Sequence, residues 1–423
     1  MLNRSQEEAA ELSVQCCIAG GGPAGMMAGL LLARAGIEVV VLEKHADFLR
    51  DFRGDTIHPS TLEVLHELGL LKAFLALPHQ QAEHFSVAIG DTLLPIADLS
   101  RLRTQCRFIA LTPQWDFLDF LAREAARYPT FRLLMRTEAV GLLEAAGRVA
   151  GVRAERPEGP LLVRADLVLG ADGRHSRMRA EAGLKVEVLG APMDVLWFRL
   201  SRRPDAPAEV LGRFAAGSIL VMINRGAYWQ CALVIPKGGF AAVRERGLPA
   251  FRERVAALAP VVSASVAEIA DWSDVKLLTV AVDRLERWYR PGLLCIGDAA
   301  HAMSPIGGVG INLAIQDAVA AANLLIGPLA AGRLEESDLH RVQQRREWPT
   351  RLTQRVQILA QNRIVRPLLG RDRPLKVPLA LGLVARSARM RRLLARLIGL
   401  GFRPEHIRTR SDSAESKRSQ IYH

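Results

Sequence analysis

The chain has 423 residues, of which 49% are hydrophobic and 24% charged, a composition that excludes a collagen, a disulfide scaffold and a chain disordered throughout. Its net charge of +12 is uneven, because residues 327–423 hold 21 Lys and Arg against 8 Asp and Glu and the rest is almost neutral. A basic segment at one end differs from the basic stripe of nucleic-acid-binding proteins, so no nucleic-acid partner is expected.

The N-terminus and the five cysteines predict neither targeting nor redox chemistry. Residues 1–13 lack the basic start, apolar run and cleavage site of a signal peptide. Apolar stretches are broken by Gly, Arg or Asp before the about 18 residues that a membrane span needs. Scattered cysteines without a CxxC pair are typical of small buried side chains in a reducing compartment. The sequence therefore predicts a cytoplasmic protein without a disulfide framework or a metal site.

A strand, a glycine-rich turn, a helix and a second strand follow one another from Val14 onward. The strands are the apolar runs Val14–Ala19 and Ile37–Leu42, and the helix is Met26–Ala35. Continuous apolar runs are typical of parallel strands buried on both faces. This stretch therefore predicts a βαβ unit.

The turn of this unit carries the pattern Gly20-x-Gly22-x-x-Gly25, and Glu43 ends the second strand. In that context the pattern predicts a dinucleotide site, since Gly20 permits the tight turn, Gly22 lets the backbone approach a pyrophosphate and Gly25 lets helix and strand pack closely. The helix N-terminus offers N–H groups to phosphates, and Glu43 can accept hydrogen bonds from ribose hydroxyls. The alternative is a structural turn with a solvent-exposed Glu43.

The elements that follow alternate at first and then change character. Helices are predicted at Thr61–Leu68 and Gln114–Tyr128, and strands at Phe131–Met135, Ala139–Leu143, Val149–Ala154 and Ala165–Leu169. The last of these runs into Asp172-Gly173, which by itself is a turn with Ser176 as a helix cap. The runs Val195–Leu200, Ser218–Ile223 and Tyr228–Ile235 are separated by Gly, Pro and Arg turns and predict an antiparallel sheet.

A third glycine-rich cluster follows the buried run Leu293–Ile296. It begins with Gly297-Asp298 and leads through Gly308 and Gly310 into a helical pattern, Ile311–Leu325. An Asp at a strand end followed by a glycine-rich helix start predicts a second surface for polyols and anions, and the glycines let the backbone approach a flat ring. The alternative is an ordinary strand, loop and helix with spare glycines.

In this order, the Gly20/Gly22/Gly25/Glu43 fingerprint, the Asp172-Gly173 motif and the Gly297-Asp298 motif resemble those of the single-component FAD-dependent aromatic monooxygenases, the family of p-hydroxybenzoate hydroxylase. The resemblance spans about residues 14–325. It implies an α/β fold, with a glutathione-reductase-type FAD-binding Rossmann domain, an antiparallel-sheet substrate domain and C-terminal helices. The implied domains are 1–73, 109–186 and 281–326 for FAD, 74–108 and 187–280 for substrate, and 327–423 for a basic helical segment with a disordered tail.

The resemblance also implies which residues contact the cofactor. Arg53 is expected near it, Gln114 near the flavin chain, Asp298 at the ribityl or pyrophosphate part, and residues 305–312 along the ring. Asp172 is expected to hold FAD indirectly. The full expected set is Gly20, Gly22, Pro23, Ala24, Gly25, Glu43, Lys44, Arg53, Gln114, Asp172, Asp298, Pro305, Gly308, Gly310, Ile311 and Asn312.

The implied activity is hydroxylation of an aromatic or polycyclic phenol. In this family NADH or NADPH reduces FAD, O₂ adds to give a C4a-hydroperoxide, and its distal oxygen attacks the ring. Such chemistry depends on excluding water more than on an acid–base triad, and no catalytic residue is assigned. His175 and His301 lie inside motifs without a partner visible in the sequence, and both are interpreted as structural or cofactor-adjacent.

Two other functions are considered. A related flavoenzyme could be a halogenase or an isoprenoid reductase, but flavin halogenases carry Trp-x-Trp-x-Ile-Pro, and the run from Trp229 to Pro236 has a different spacing and lacks the second Trp. A non-catalytic flavin-binding protein is the other alternative. The intact ring-lining loop argues against it, because binding alone does not require such a loop.

Substrate-facing residues are expected at His58 and in the middle sheet, where the candidates are Trp197 or Arg199, Met222 or Asn224, and Trp229 or Cys231. Of these, Arg199, Met222 and Trp229 are chosen. In the middle sheet, alternation turns one set of side chains inward and the other outward without telling which is which. For His58 the alternative is a cap on the helix that follows it. The apolar residues of this sheet favour a large aromatic, polycyclic or prenylated substrate.

The C-terminal run Val377–Phe402 predicts a basic amphipathic helix. One hypothesis is that this helix makes weak contact with an anionic membrane surface. The alternative is that its apolar side packs on the FAD domain while its arginines face solvent. A monomer or a homodimer is expected.

Overall fold

The structure, a computed structural model, describes residues 10–49, 56–90, 92–203, 205, 211–215, 217–369 and 379–409. In chain order the strands are β1 (Ala10–Ala19), β2 (Val39–Leu42), β3 (Thr56–Ile57), β4 (Gln80–Ala82), β5 (His84–Ile89), β6 (Thr92–Asp98), β7 (Ile109–Leu111), β8 (Phe131–Leu134), β9 (Glu138–Ala145), β10 (Arg148–Glu155), β11 (Leu161–Gly170), β12 (Val186–Val188), β13 (Met193–Ser201), β14 (Leu211–Ala215), β15 (Ser218–Asn224), β16 (Tyr228–Pro236), β17 (Lys276–Leu278), β18 (Asp283–Leu285), β19 (Tyr289–Arg290), β20 (Leu293–Cys295) and β21 (His301–Ala302). The α-helices are α1 (Pro23–Arg34), α2 (Pro59–Glu67), α3 (Leu71–Leu75), α4 (Gln114–Ala125), α5 (Arg177–Glu181), α6 (Phe240–Glu245), α7 (Gly247–Leu258), α8 (Gly310–Ala330), α9 (Glu336–Ala360), α10 (Arg366–Leu369), α11 (Leu379–Arg386) and α12 (Ala388–Leu400).

The first large sheet contains the predicted βαβ unit and has the order β19-β20-β11-β1-β2-β8, with β10 beside β11 and β9 beside β10. Strand β1 is parallel to both of its neighbours, and Ala19 pairs with Leu42 on one side and Gly170 on the other. Gly170 in turn pairs with Cys295 of β20. Four parallel strands therefore end level with one another, and the turns that follow them leave the same edge of the sheet, where α/β proteins bind ligands.

Helices α1 and α8 pack against each other on this sheet and build the larger hydrophobic core. Among the described residues, one helical stretch, Ile306–Ala330, is long and apolar enough to cross a membrane by length and composition alone. Most of it is buried in the protein, where α8 contacts α1 and α9. The stretch is therefore a core helix.

The second large sheet has the order β17-β13-β16-β15-β14-β5-β6. The three predicted strands are confirmed as β13, β15 and β16, and they pair antiparallel. The sheet is not wholly antiparallel, because β14 and β5 are parallel to each other. The predicted α/β fold class, with a Rossmann-type sheet and a second, largely antiparallel one, is confirmed.

The predicted single helix over Val377–Phe402 is wrong in its described part. The chain forms α11 and α12 instead, and Ser387 stands between them with its Oγ accepting a hydrogen bond from the Met390 N–H (3.4 Å). Ser at this position favours a helix start, which explains the break. On α12 the buried residues are Ala395 and Gly399.

All five cysteines are buried, as predicted, and each is a free thiol. Cys16 and Cys17 are adjacent on β1 and lie in two different hydrophobic clusters, one on each face of the sheet. This placement follows from the alternation of side chains along a strand.

Candidate active site

The glycine-rich turn after β1 is packed tightly by its own protein at two positions. Gly20 has φ +107°, and a Cβ there would lie 2.4 Å from the Ala171 carbonyl oxygen. A Cβ on Gly25 would lie 2.0 Å from the Gly20 oxygen. Any side chain at either position would therefore collide with backbone, as the sequence pattern predicts for a strand–turn–helix of this type.

Two other glycines differ because their space is open. A Cβ on Gly22 or on Gly310 would meet no atom of the described residues within 4 Å. Gly22 stands at the N-terminus of α1 and Gly310 at the N-terminus of α8. Open backbone at two helix N-termini leaves room for a phosphate or a flat ring to approach, with the first N–H groups of each helix available to it.

Glu43 follows β2 at the same edge and is 92% buried. Its Oε2 accepts a hydrogen bond from the Gly21 N–H (3.0 Å) and its Oε1 from the His45 N–H (3.0 Å). The carboxylate therefore fixes the glycine-rich turn directly. The alternative of a solvent-exposed Glu43 is wrong, whereas the neighbouring Lys44 is exposed.

Asp172 follows β11, and its side chain caps the N-terminus of α5 although it precedes that helix by several residues. Its Oδ2 accepts hydrogen bonds from the N–H groups of Arg177 (2.7 Å) and Met178 (3.0 Å), while its Oδ1 is buried without a partner among the described residues. Ser176 caps the same helix through the Arg179 N–H (3.0 Å). The guanidinium of Arg179 pairs with Asp283 at 3.3 Å. The predicted Asp-Gly turn with a Ser cap thus occurs, and it lies beside the turn after β1.

The turn after β20 meets the first turn directly. Gly297 has φ +59°, and a Cβ there would lie 3.1 Å from the Ala24 Cβ of α1 and 3.3 Å from the Ala314 Cβ of α8. The side chain of Asp298 is 35% exposed and lies 3.8 Å from Arg174. An acidic side chain is therefore presented at the point where the three glycine clusters come together.

His301 has a partner that the sequence did not reveal. Its Nε2 donates a hydrogen bond to Asp317 Oδ2 (2.6 Å), and both side chains are at most 1% exposed. Burial by itself raises the pKa of Asp317, but the contacts with His301 and Arg346 outweigh it and hold that pKa below its usual value. The Asp317 carboxylate is therefore ionised. His175, the other histidine of the motifs, is exposed.

The loop before α8 is joined to β3 and α2 by Asn312. Its Oδ1 accepts hydrogen bonds from the His58 N–H (2.9 Å) and the Thr61 hydroxyl (2.7 Å), and its Nδ2 donates to the Thr56 oxygen (3.1 Å). Thr56 Oγ1 donates in turn to the Gly308 oxygen (2.9 Å). The side chain of Asn312 is thus occupied within the protein, so this region would contact a ring through its backbone.

The ring of His58 is 99% buried between α2 and the C-terminal helices. Its Nδ1 lies 2.7 Å from the Ile398 carbonyl oxygen, which only accepts hydrogen bonds, so Nδ1 carries the proton. Burial lowers the pKa of His58 to about 4, which leaves Nε2 as an unprotonated acceptor, without a partner among the described residues. His58 stands at the N-cap position of α2, as the alternative predicts, but its side chain forms no cap hydrogen bond there.

Two of the substrate candidates on the second sheet are corrected. Met222 and Trp229 are at most 2% exposed and belong to the cluster that packs against α7. The opposite face carries Trp197 and Val221, which lie with residues of β6, β7 and α12. Arg199 is on this second face, where it is exposed and stacks over the Tyr228 ring at 4.3 Å.

The face that carries Trp197 builds an apolar cluster between the sheet and α12. Its buried members are Ala82, Ala97, Leu99, Leu102, Ile109, Leu111, Ile223 and Ala395. A neighbouring cluster on the same face includes Ile306, from the loop before Gly308. Apolar side chains thus form a continuous wall from this sheet to the loop before Gly308. The sequence predicts that this loop lies along the flavin ring.

The remaining predicted residues are placed as follows. Gln114 is half-buried at the first position of α4, Pro305 and Pro23 are half-buried, and Ile311 is buried. Arg53 lies outside the described residues. Their contacts with a cofactor stay predictions.

These features fit FAD, the cofactor that the resemblance implies. The backbone is open at Gly22 and Gly310 and closely packed at Gly20 and Gly25, and Asp172 has an unpaired buried oxygen among the described residues. Within the same residues, no group of three or more His, Cys, Asp or Glu side chains could hold a metal ion. The donors therefore suit a nucleotide held by backbone and carboxylates.

Comparisons with known proteins agree with this geometry. A family model described as the FAD binding domain matches residues 13–356. The 6-methylpretetramide 4-monooxygenase of Streptomyces rimosus is 35% identical over 406 residues, which are 94% of each chain. The chain spans only 60–63% of the length of five further relatives.

Two solved structures share the fold. An anhydrotetracycline hydroxylase from Streptomyces rimosus has a TM-score of 0.72 and 23% identity, over 92% of this chain and 76% of that one. A probable FAD-dependent monooxygenase from Pseudomonas aeruginosa has a TM-score of 0.71 and 22% identity, over 85% of this chain and 97% of that one. At these identities the likeness concerns the fold.

Proposed function

We propose that this chain, which belongs to the FAD binding domain family and is an FAD-dependent monooxygenase, hydroxylates a fused-ring aromatic phenol. The observation that carries the substrate class is the 35% identity, over 94% of both chains, to a monooxygenase named for 6-methylpretetramide. A relative named for anhydrotetracycline supports the same class. The apolar wall between the second sheet and α12 also supports it, because a wall of this kind suits a broad, flat substrate.

The proposed cofactor contacts follow the turns at the edge of the first sheet. The N–H groups at the start of α1 face the pyrophosphate across the open side of Gly22, and Glu43 lies at the adenosine ribose. Asp298 binds the ribityl or pyrophosphate part. The backbone from Gly308 to Ile311 lies along the ring, and Asp172 acts indirectly.

When bound, FAD supplies the redox chemistry by which one oxygen atom of O₂ is added to an aromatic ring, with NADH or NADPH as the proposed reductant. The protein's part is to position the ring and to exclude water. Trp197, Val221 and Ile223 provide an apolar surface for this purpose, and Ile306 continues it toward the cofactor loop. No metal ion is part of the proposal.

His58 is proposed to accept a hydrogen bond from a substrate hydroxyl at Nε2. Its Nδ1 is held by the Ile398 carbonyl, so the lone pair of Nε2 has a fixed direction. The Asn312 side chain fixes the backbone of His58 beside the ring loop. With a pKa of about 4, His58 accepts this hydrogen bond without taking the proton, so its proposed part is to orient the hydroxyl and with it the ring.

The function is tested by anaerobic stopped-flow reduction of the FAD-loaded protein with NADH and with NADPH, in the presence of single-ring and fused-ring phenols. We expect fused-ring phenols to accelerate flavin reduction and, in air, to yield a product heavier by one oxygen atom. Equal rates with and without every phenol, together with no oxygenated product, would contradict the proposal.

Two further properties are proposed, together with a cytoplasmic location. The exposed side of α12, with Arg389, Arg392 and Leu393, is proposed to make weak contact with anionic lipid. Co-sedimentation with anionic vesicles at low salt tests this, and neutral vesicles are the control.

A monomer or homodimer is proposed, and light scattering during size-exclusion chromatography measures which forms.

A further inference from the structure

The last described segment of the chain, residues 403–409, crosses the FAD domain and is held there by a buried carboxylate, Glu405. Glu405 is 97% buried, and its Oε1 lies 2.6 Å from Arg345 Nε and 3.5 Å from an Arg346 terminal nitrogen. Its backbone N–H donates to the Gln316 side-chain oxygen on α8. We call residues 403–409 the C-terminal strap.

Arg346 carries this contact from the strap into the core. It is 99% buried on α9, and its Nε donates to Asp317 Oδ1 at 2.9 Å. Another of its nitrogens lies 3.4 Å from the Arg403 oxygen. The planar guanidinium is thus fixed between the strap on one side and Asp317 on the other, a geometry that its rigid fork of donors allows.

Asp317 uses its other oxygen to close the turn after β20. Oδ2 accepts hydrogen bonds from the Gly297 N–H (3.1 Å) and from His301 Nε2 (2.6 Å). One oxygen therefore holds both ends of the five-residue turn 297–301. The partly exposed carboxylate of Asp298 lies on that turn, so its position depends on the position of Asp317.

We infer that Glu405 is a positioning residue for FAD, because through Arg346 and Asp317 it fixes the turn that presents Asp298. Glu405 lies outside residues 13–356, which the family model matches. Without the Glu405 charge, Arg346 keeps a buried positive charge with one carboxylate fewer, and Asp317 no longer has a fixed partner on that side. The inference rests on the proposed role of Asp298.

The first experiment compares substitutions of two carboxylates, Glu405 and Glu67, that hold the strap at different places. Glu405→Gln is expected to weaken FAD binding to the apoprotein about fivefold to tenfold in a fluorescence titration, the scale of coupling between buried neighbours. Glu67→Gln is the matched control, since the Glu67 carboxylate holds the same strap through His406 (2.5 Å) and the Ile407 N–H (2.7 Å) on an exposed surface. It is expected to leave FAD affinity unchanged. An equal loss in both variants, or none in Glu405→Gln, would overturn the inference.

A double-mutant cycle with Asp298→Asn tests the route. If Glu405 acts by positioning Asp298, Glu405→Gln should weaken FAD binding little further once the Asp298 charge is gone. Additive effects would overturn the inference while leaving the role of Asp298 intact. If Asp298→Asn alone leaves FAD affinity unchanged, both the inference and the proposed role of Asp298 are overturned. The reduction assay would still test the monooxygenase function separately. Glu405→Asp, which keeps the charge, is the rescue variant and also serves if Glu405→Gln does not give folded apoprotein by urea denaturation. It should bind FAD nearly as the parent does, and a fivefold or larger loss in Glu405→Asp would overturn the inference.

Discussion

The turns at the edge of the first sheet and the strands of the second sheet differ in what decides the role of a residue. In the turns, backbone conformation decides: Gly20 and Gly25 are needed by neighbouring backbone, whereas Gly22 faces open space. In the sheet, the face decides, because Trp197 and Trp229 lie on paired strands yet belong to different clusters. Local chemistry therefore identifies a cofactor turn, while a substrate surface depends on what packs against each face.

The largest expected effect distinguishes two glycines three residues apart. Gly25→Val places a side chain 2.0 Å from the Gly20 oxygen, so we expect it to destabilise the apoprotein by at least about 3 kcal/mol or to prevent folding. The Cβ of Gly22→Val would meet no described atom within 4 Å. We expect its apoprotein to stay within about 1 kcal/mol of the parent in urea denaturation, since only the helix cap preference changes.

FAD occupancy is the second measurement that should distinguish the two glycine positions. Gly22→Val should abolish the yellow colour of the purified protein, because its side chain fills the space proposed for the pyrophosphate. A folded Gly22→Val protein with full FAD occupancy would contradict the placement of the cofactor. A fully stable Gly25→Val protein would contradict the packing of the turn.

The next effect concerns the two faces of the second sheet. Trp229→Ala should cost about 3 to 5 kcal/mol in urea denaturation, as for a large side chain removed from a closed core. Trp197 is only partly buried on the other face, so Trp197→Ala should cost less, about 1 to 2 kcal/mol, and should raise the KM for the aromatic substrate. Similar stability losses with an unchanged KM would remove the distinction between the faces.

The third effect appears only when the pH is lowered, and it concerns His58. Its pKa is about 4 in the folded protein against an ordinary value of 6.5, so the unfolded chain binds more protons between these two values. Stability due to neutral His58 is therefore fully present above pH 6.5 and is lost as the pH falls toward 4, by about 3 kcal/mol. His58→Gln should lose correspondingly less stability between about pH 7 and pH 4.5 in urea denaturation. Parallel losses in the two proteins would show that His58 is not buried in its neutral form.

The geometry of the turn after β1 could be predicted because its signals are local. The turn after β1 and the acidic end of β2 lie within about 30 residues, and the tight backbone packing of the turn requires Gly20 and Gly25. The substrate face could not be chosen, because alternation relates Trp229 to Cys231 and Arg199 to Trp197 but does not tell which set faces α7. The burying helix comes later in the chain, at residues 247–258.

The buried ion pairs could not be predicted for a different reason. Asp317, Arg346 and Glu405 are separated by 29 and 59 residues, and no periodicity joins such positions. One signal was available, since Glu405 is one of few acidic residues in a strongly basic segment. The break at Ser387 was also missed, because apolar residues continue at helical spacing on both sides of it.

The pairing of β1 with β11 has a consequence for biosynthesis. The central strand of the first sheet is made about 150 residues before β11, the neighbour that covers one of its sides, and about 280 residues before β20. High sequence separation of this kind slows folding and leaves apolar strand edges unprotected on the growing polypeptide. We expect that ribosome-bound chains that end before β20 cannot assemble this sheet and depend on chaperones until translation passes that strand.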